Sequence, residues 1–306
     1  MKTKDVYLKT MKFVWLKLAL HAAIFCVAAL LLLVFLWIGR AGEGSGIIIS
    51  LTIWLILVGS IYGLVQRYVG YLLKAGHVAM VTTLMTTGTL PENQFEAAKN
   101  MVKERFLTAN VYFVVDRLVS GAVSQLQKGV EKVGSLFDSI PGISSIMAFA
   151  QLFIHIALNY IDECCLGYTF LHSEQSAFKS AADGVVIYFQ NWKKLLKDAA
   201  VTALIVMVIT FLSALVPFLI ISAVFAAWGV HWLFALLLAV MVAAGIRSSF
   251  VDSYMMVKMM VSYMETAPST QITFDLYEKL CRLSGKFKSL FEKGQQEQQQ
   301  YQNPQI

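Results

Sequence analysis

Charge is what this chain has least of. Only 14% of its 306 residues are Asp, Glu, Lys or Arg, while 58% are hydrophobic; an average soluble domain is about a quarter charged. The apolar residues gather in long blocks, which excludes a soluble globular chain and points to an integral membrane protein. Cysteine is nearly as scarce. Cys26, Cys164, Cys165 and Cys281 sit in apolar surroundings without C-x-x-C or Cys/His spacing, so neither a disulfide framework nor a structural metal site is expected. Hydrolytic motifs are missing too: there is no G-x-S-x-G, Walker loop or H-E-x-x-H, and the five histidines are dispersed. Nothing supports an enzyme, and no cofactor is expected. The formal charge of +6 does not imply nucleic acid, because the basic residues flank apolar blocks, where the positive-inside rule accounts for them.

Four blocks read as transmembrane helices: Phe13 to Ile38, Ile47 to Val65, Ala199 to Ala227 and Trp232 to Ile246. Each approaches or exceeds the roughly 20 residues that cross a hydrocarbon layer of about 30 Å. The first is too long for a signal-peptide core and leads straight into a second span, so it is expected to be retained. The turns "GRAGEGSG" (39–46) and "WGVH" (228–231) carry almost no charge, whereas nearly all Lys and Arg lie before the first span, between 66 and 198, or after 247. Both turns are therefore expected outside, and both termini in the cytoplasm of a multi-pass cell-membrane protein.

The middle of the chain is harder to place. Residues 95–137 repeat apolar side chains at three and four (Val102, Phe106, Phe113, Val119, Val123), with lysines and arginines off that stripe, as amphipathic helices lying along the bilayer do. Residues 146–170 form a further apolar block, interrupted by "NYIDECCLGY" (159–168). About nine strongly apolar side chains gain on the order of 4 kcal/mol on an insertion scale, and each central acid costs about 3 kcal/mol, so Asp162 and Glu163 together cancel the gain. This segment is expected to re-enter the membrane from one side or to run buried against other helices. On a helix, Gln151, His155, Asn159 and one of Asp162 or Glu163 share a polar face. Three readings of that seam stay open: packing with the acids paired to Lys179, Lys193 or Arg247, a cation or proton site, and, less favoured, metal ligation by His155 with the carboxylates or cysteines.

The expected fold is all-α: a polytopic bundle of four spans in two hairpins, one polar-seamed segment and amphipathic cytoplasmic helices. Its segments are 1–65 (first hairpin), 66–140 (amphipathic helices), 141–198 (polar-seamed segment and basic connector), 199–264 (second hairpin) and 265–306 (a basic helix and a Gln-rich tail without structure). The halves echo each other. "YLKTMK" (7–12) and "YFQNWK" (188–193) each precede an outgoing span, and "GLVQRYVGYLLK" (63–74) and "GIRSSFVDSYMMVK" (245–258) each follow a return span, as a parallel repeat would have it. Gly59 and Gly63 form G-x-x-x-G, a close-approach face for another helix or a second chain. The run "SYMMVKMMVSYM" (253–264) reads as a pliable interfacial helix.

From about 141 to 290, the stretches "NYIDECCLGYTF", "SAFKSAADGVVIYFQNWKKLLKDA" and "SSFVDSYMMVKMMVSYMET" resemble in order and pattern the C-terminal half of choline transporter-like proteins. The "LKAGH", "VKERF" and "YIDE" segments are similar to those of uncharacterised prokaryotic multi-pass proteins. The first likeness implies a path for a small organic cation, with Trp54, Tyr160, Tyr168 and Asp162 or Glu163 around a quaternary ammonium. Because this chain has about half that family's usual length, the likeness also implies a homo-oligomer. The alternative is a non-transporting scaffold or accessory subunit whose basic amphipathic layer binds anionic lipid or a partner.

The topology has a direct check. In a background stripped of native cysteines, Gly44→Cys is expected to react with a membrane-impermeant maleimide on intact cells, and Lys194→Cys only after permeabilisation. Labelling of both positions on intact cells overturns the assignment.

Overall fold

The computed structural model describes residues 1–40, 43–106, 109–135, 158–227 and 232–302. Among these every regular element is helical, and four helices are long and apolar enough to cross a membrane: Met11–Gly39, Gly46–Thr87, Val206–Ala227 and Trp232–Ser269. The chain is an all-α polytopic membrane protein.

A short α1 (Thr3–Lys9) leads into the first hairpin, α2 (Met11–Gly39) and α3 (Glu43–Val65), which continues through a π-helical turn (Gln66–Gly70) into α4 (Tyr71–Thr87). Next come α5 (Gln94–Phe106), α6 (Ala109–Ser135), α7 (Ile161–Leu171) and α8 (Ala177–Gln190). The second hairpin, α9 (Trp192–Ala227) and α10 (Trp232–Ile246), continues through another π-helical turn (Arg247–Val251) into α11 (Asp252–Thr266). A 3-10 turn (Ala267–Ser269), α12 (Phe274–Leu283) and α13 (Gly285–Gln302) complete the order. Two compact units result: a membrane unit of Met11–Lys74 and Ile205–Ser253, and a second unit of Met1–Thr10, Ala75–Leu204 and Tyr254–Ile306.

In the membrane unit, Ala28, Leu32, Trp54, Val58 and Leu238 form a buried core. The Trp54 indole, 1% exposed, donates its Nε1–H to the Ala28 carbonyl at 2.9 Å. A buried indole N–H needs such an acceptor, and the small side chain of Ala28 lets the ring reach the backbone. The outer faces present Leu30, Leu33, Ile48, Ile56, Phe211 and Ile220, side chains at home against acyl chains. No such face closes on the G-x-x-x-G pair. A Cβ added to Gly59 or Gly63 would meet nothing within 4 Å among the described residues, so none of the described helices approaches closely at these glycines.

The second unit is centred on the continuations of the return spans. Val78, Met80, Val81 and Leu84 of α4, and Met255, Met256, Met259 and Met260 of α11, are buried. The Met-rich run is therefore a core helix rather than an interfacial one, its flexible side chains filling irregular gaps. Residues 254–264, assigned from the sequence to the second hairpin, fall in the second unit for the same reason.

A further correction concerns the tail: Gly294–Gln302 is helical, as the end of α13. It is held at the start of α8, where Gln298 Oε1 accepts the Ser176 N–H (3.0 Å) and Lys293 lies over the Phe178 ring (5.4 Å). A Cβ at Gly294 would stand 2.8 Å from Lys179 N and Cα, so only glycine permits this approach.

The echo of the halves recurs in local structure at a constant spacing of 181 positions. The π-helical turns start at Gln66 and Arg247, and the helices ahead of the outgoing spans break at Thr10 and Asn191. At both breaks the backbone N–H and the side chain donate to the carbonyl four residues back: Thr10 to Val6, and Asn191 to Ile187.

Gly294→Leu is expected to cost roughly 1–3 kcal/mol, as overpacking does, and to release α13. Hydrogen exchange across 285–302 should rise several-fold; wild-type protection would refute this account of the tail.

Candidate functional site

Asp162 and Glu163 occupy the first turn of α7, where unpaired N–H groups and the helix dipole favour negative charge. Glu163 is 6% exposed and Asp162 half-buried. Around them α7 is tightly enclosed. A Cβ at Gly184 on α8 would lie 3.1 Å from Cys165 Cα, and one at Gly167 would lie 3.0 Å from Met260 Cε and 3.2 Å from Thr82 Oγ1. Burial, reinforced by the neighbouring carboxylates, pushes the Cys164 and Cys165 thiols well up. Such thiols stay protonated and are inert as nucleophiles or ligands. Among the described residues no group of three or more His, Cys, Asp and Glu is placed to hold a metal.

Tyr263 donates its hydroxyl to the Gly184 carbonyl (3.2 Å), stacks on Tyr188 and meets Tyr168 edge-on. Asp183, 2% exposed, pairs with Lys179 Nζ at 2.9 Å and accepts a hydrogen bond from the Tyr277 hydroxyl. Burial, then the charge of Asp183, raises the Tyr277 phenol. The same two causes, with Glu174, push Tyr168 up to about 12. Two of the three cations expected to pair with the acids of α7 have other partners: Lys179 pairs with Asp183, and Arg247 with Asp252 at 3.7 Å. Asp183 went unnoticed in the sequence, although Lys179 four positions before it is a helical pairing distance.

The expected site residues are divided between the two units. Tyr160, Asp162, Glu163 and Tyr168 lie on or beside α7 in the second unit, with Asn159 exposed in the turn before it. Gln151 and His155 lie outside the described residues. Trp54 belongs to the membrane unit, where it lines a different feature, a cavity of about 410 Å³.

That cavity has walls from α2, α3 and α10, and His21, Phe25, Trp54, Gly59, Tyr62 and Met241 are among its lining residues. Its lining is almost wholly apolar, with His21 at the polar corner. The His21 ring donates from Nδ1 to the Lys17 carbonyl (2.7 Å), leaving Nε2 to accept from the Gln66 amide (2.8 Å). Gln66 opens the first π-helical turn and folds back over Gly70, where a Cβ would come within 2.2 Å of its Oε1. Gly245 makes room for the imidazole, since a Cβ there would stand 3.0 Å from His21 Cβ. The Lys17 ammonium reaches Ser253 Oγ at 2.9 Å. No periodicity marked this corner, because His21, Gln66 and Gly245 come from three separate stretches.

The chain matches no family model, no curated protein and no solved structure.

The tyrosines of the second unit carry a pH signature. A phenol raised from about 10 to about 12 favours the folded state fully below pH 10, and that contribution disappears as pH rises through 12. Thermal melts between pH 9 and 12 should show a steep loss of stability that Tyr168→Phe makes shallower. An unchanged slope in the variant would refute the assignment.

Proposed function

We propose that the protein binds and moves a small organic solute through the cavity between its hairpins, and that this solute is an alkyl-substituted cation. One observation carries the reading: α3 and α10 line the same cavity at Leu55 and Leu236, and again at Gly59 and Val240, pairs that share the 181-position spacing of the halves. Transporters built from repeats place their substrate where the repeats meet, near the bilayer midplane. The volume lies in the range of small-molecule sites.

The faces of Phe25, Trp54 and Tyr62 can hold a quaternary ammonium without a carboxylate. An apolar wall favours an ammonium covered in alkyl groups over a strongly hydrated primary amine. The resemblance to choline transporter-like proteins supports the same class of solute. Asp162 and Glu163, packed in the second unit, take no direct part in this binding.

A second reading, a scaffold holding anionic lipid, draws on the exposed lysines of α5, α9 and α13, among them Lys99, Lys103, Lys193, Lys194, Lys286 and Lys288.

Gly59→Leu separates the two. Its new side chain enters the cavity without a clash at Cβ, so thermal stability should stay within about 0.5 kcal/mol of wild type. In proteoliposomes, saturable uptake of labelled choline or tetraethylammonium should fall at least tenfold in this variant and persist in Asp162→Asn. Absence of saturable uptake and of binding in the wild type would leave the scaffold reading.

A further inference from the structure

Two turns in the second unit are tied to the bases of the outgoing spans, and each presents a bare phenylalanine. In the second half, Gln190 Nε2 donates to the Gln271 carbonyl (2.9 Å) and to Thr273 Oγ1 (3.1 Å), while Asn191 Nδ2 donates to Thr270 Oγ1 (2.9 Å). The polar groups of this turn thus face the start of α9, and Ile272 and Phe274 point outward, Phe274 at 67% exposure. In the first half, Gln94 Nε2 donates to the Lys9 carbonyl at 3.1 Å, and the next residue, Phe95, is 51% exposed. Each phenylalanine stands at the start of a helix and is followed by an acid, Glu96 or Asp275.

We infer that these turns are a pair of membrane-surface anchors, with Phe95 on one and Ile272 and Phe274 on the other entering the headgroup boundary of the leaflet that the outgoing spans enter. Three observations select a lipid surface over a protein partner. The tethers end on residues just ahead of membrane spans: Lys9 lies four positions before Phe13, and Asn191 eight before Ala199, roughly 6 and 12 Å at a helical rise. That distance falls in or beside the headgroup layer. Their surroundings have interfacial chemistry, with exposed Leu8 and Lys9 at one turn and exposed Trp192, Lys193 and Lys194 at the other; tryptophan and lysine are the side chains that settle at that depth. The feature also occurs once in each half, as an anchor serving each hairpin would. Four spans already hold the chain in the bilayer, so the anchors' role is to fix the second unit against the membrane surface.

Spin labelling tests this on the full chain in nanodiscs containing anionic lipid. Nitroxides are placed at Phe95→Cys, Phe274→Cys and the reference Glu278→Cys, with Cys26 and Cys281 replaced by serine and buried Cys164 and Cys165 retained. All three positions are exposed, so the fold should tolerate the label. At 95 and 274, collisions with oxygen should exceed those with a water-soluble nickel chelate several-fold, and at 278 the order should reverse. Nickel accessibility at 95 and 274 equal to that at 278 overturns the proposal in favour of free surface. Loss of access to both reagents overturns it in favour of a protein partner or a second copy.

Discussion

A helix that passes from lipid into the interior of a protein must keep every backbone group hydrogen-bonded while changing which of its faces are covered. Both return spans meet this constraint without a break in the chain. α3 exposes apolar side chains such as Ile48, Ile53 and Ile56, yet its continuation α4 is buried almost all round from Ala75 to Leu84, and α10 and α11 repeat the change. At each crossing the structure inserts one π-helical turn, Gln66–Gly70 or Arg247–Val251. A π turn keeps the backbone bonded while widening the helix locally and shifting the angular register of all that follows. The lipid-facing stripe before the turn and the buried surface after it are thereby set independently. The second unit can then assemble around α4 and α11, and the His21 corner exists because Gln66 opens the first of these turns.

The acids of α7 find their explanation in this assembly. Asp162 and Glu163 are in the first turn of a short helix enclosed by glycine-mediated contacts, so the dipole and N–H groups of α7 compensate part of the cost of burying charge there. Asp183 on α8 is a buried acid with two partners, Lys179 on its own helix and Tyr277 on α12.

Much of the architecture was legible before any coordinates. Long uncharged runs can only be spans, and the basic residues at their ends set their grouping into two hairpins. The echo of "YLKTMK" and "YFQNWK" was legible as residue types, and the structure turns it into matched helix breaks at Thr10 and Asn191. Other features could not be read from local pattern. Methionine suits a pliable surface and an irregular core equally, so 253–264 had no signature of its burial. The Gln-rich tail has few apolar residues, and its helix depends on Gly294 fitting against a backbone 115 positions earlier, at Lys179. A π turn has no residue code. The cavity was visible only as Trp54, a ring too far inside its span for an interfacial anchor; the glycine and histidine that complete the site come from elsewhere.

The two hairpins differ in bulk as well as in helix length, with 29 and 23 residues in α2 and α3 against 36 and 15 in α9 and α10. Where the first carries Trp54 and Tyr62, the second, 181 positions on, carries Ala235 and Ala243. An assembly of two first hairpins would have to accommodate a second indole where the native bundle has a methyl group, and one made of two second hairpins would leave that volume empty. The halves are complementary rather than interchangeable, so exchanging one hairpin for a copy of the other would lose the packing.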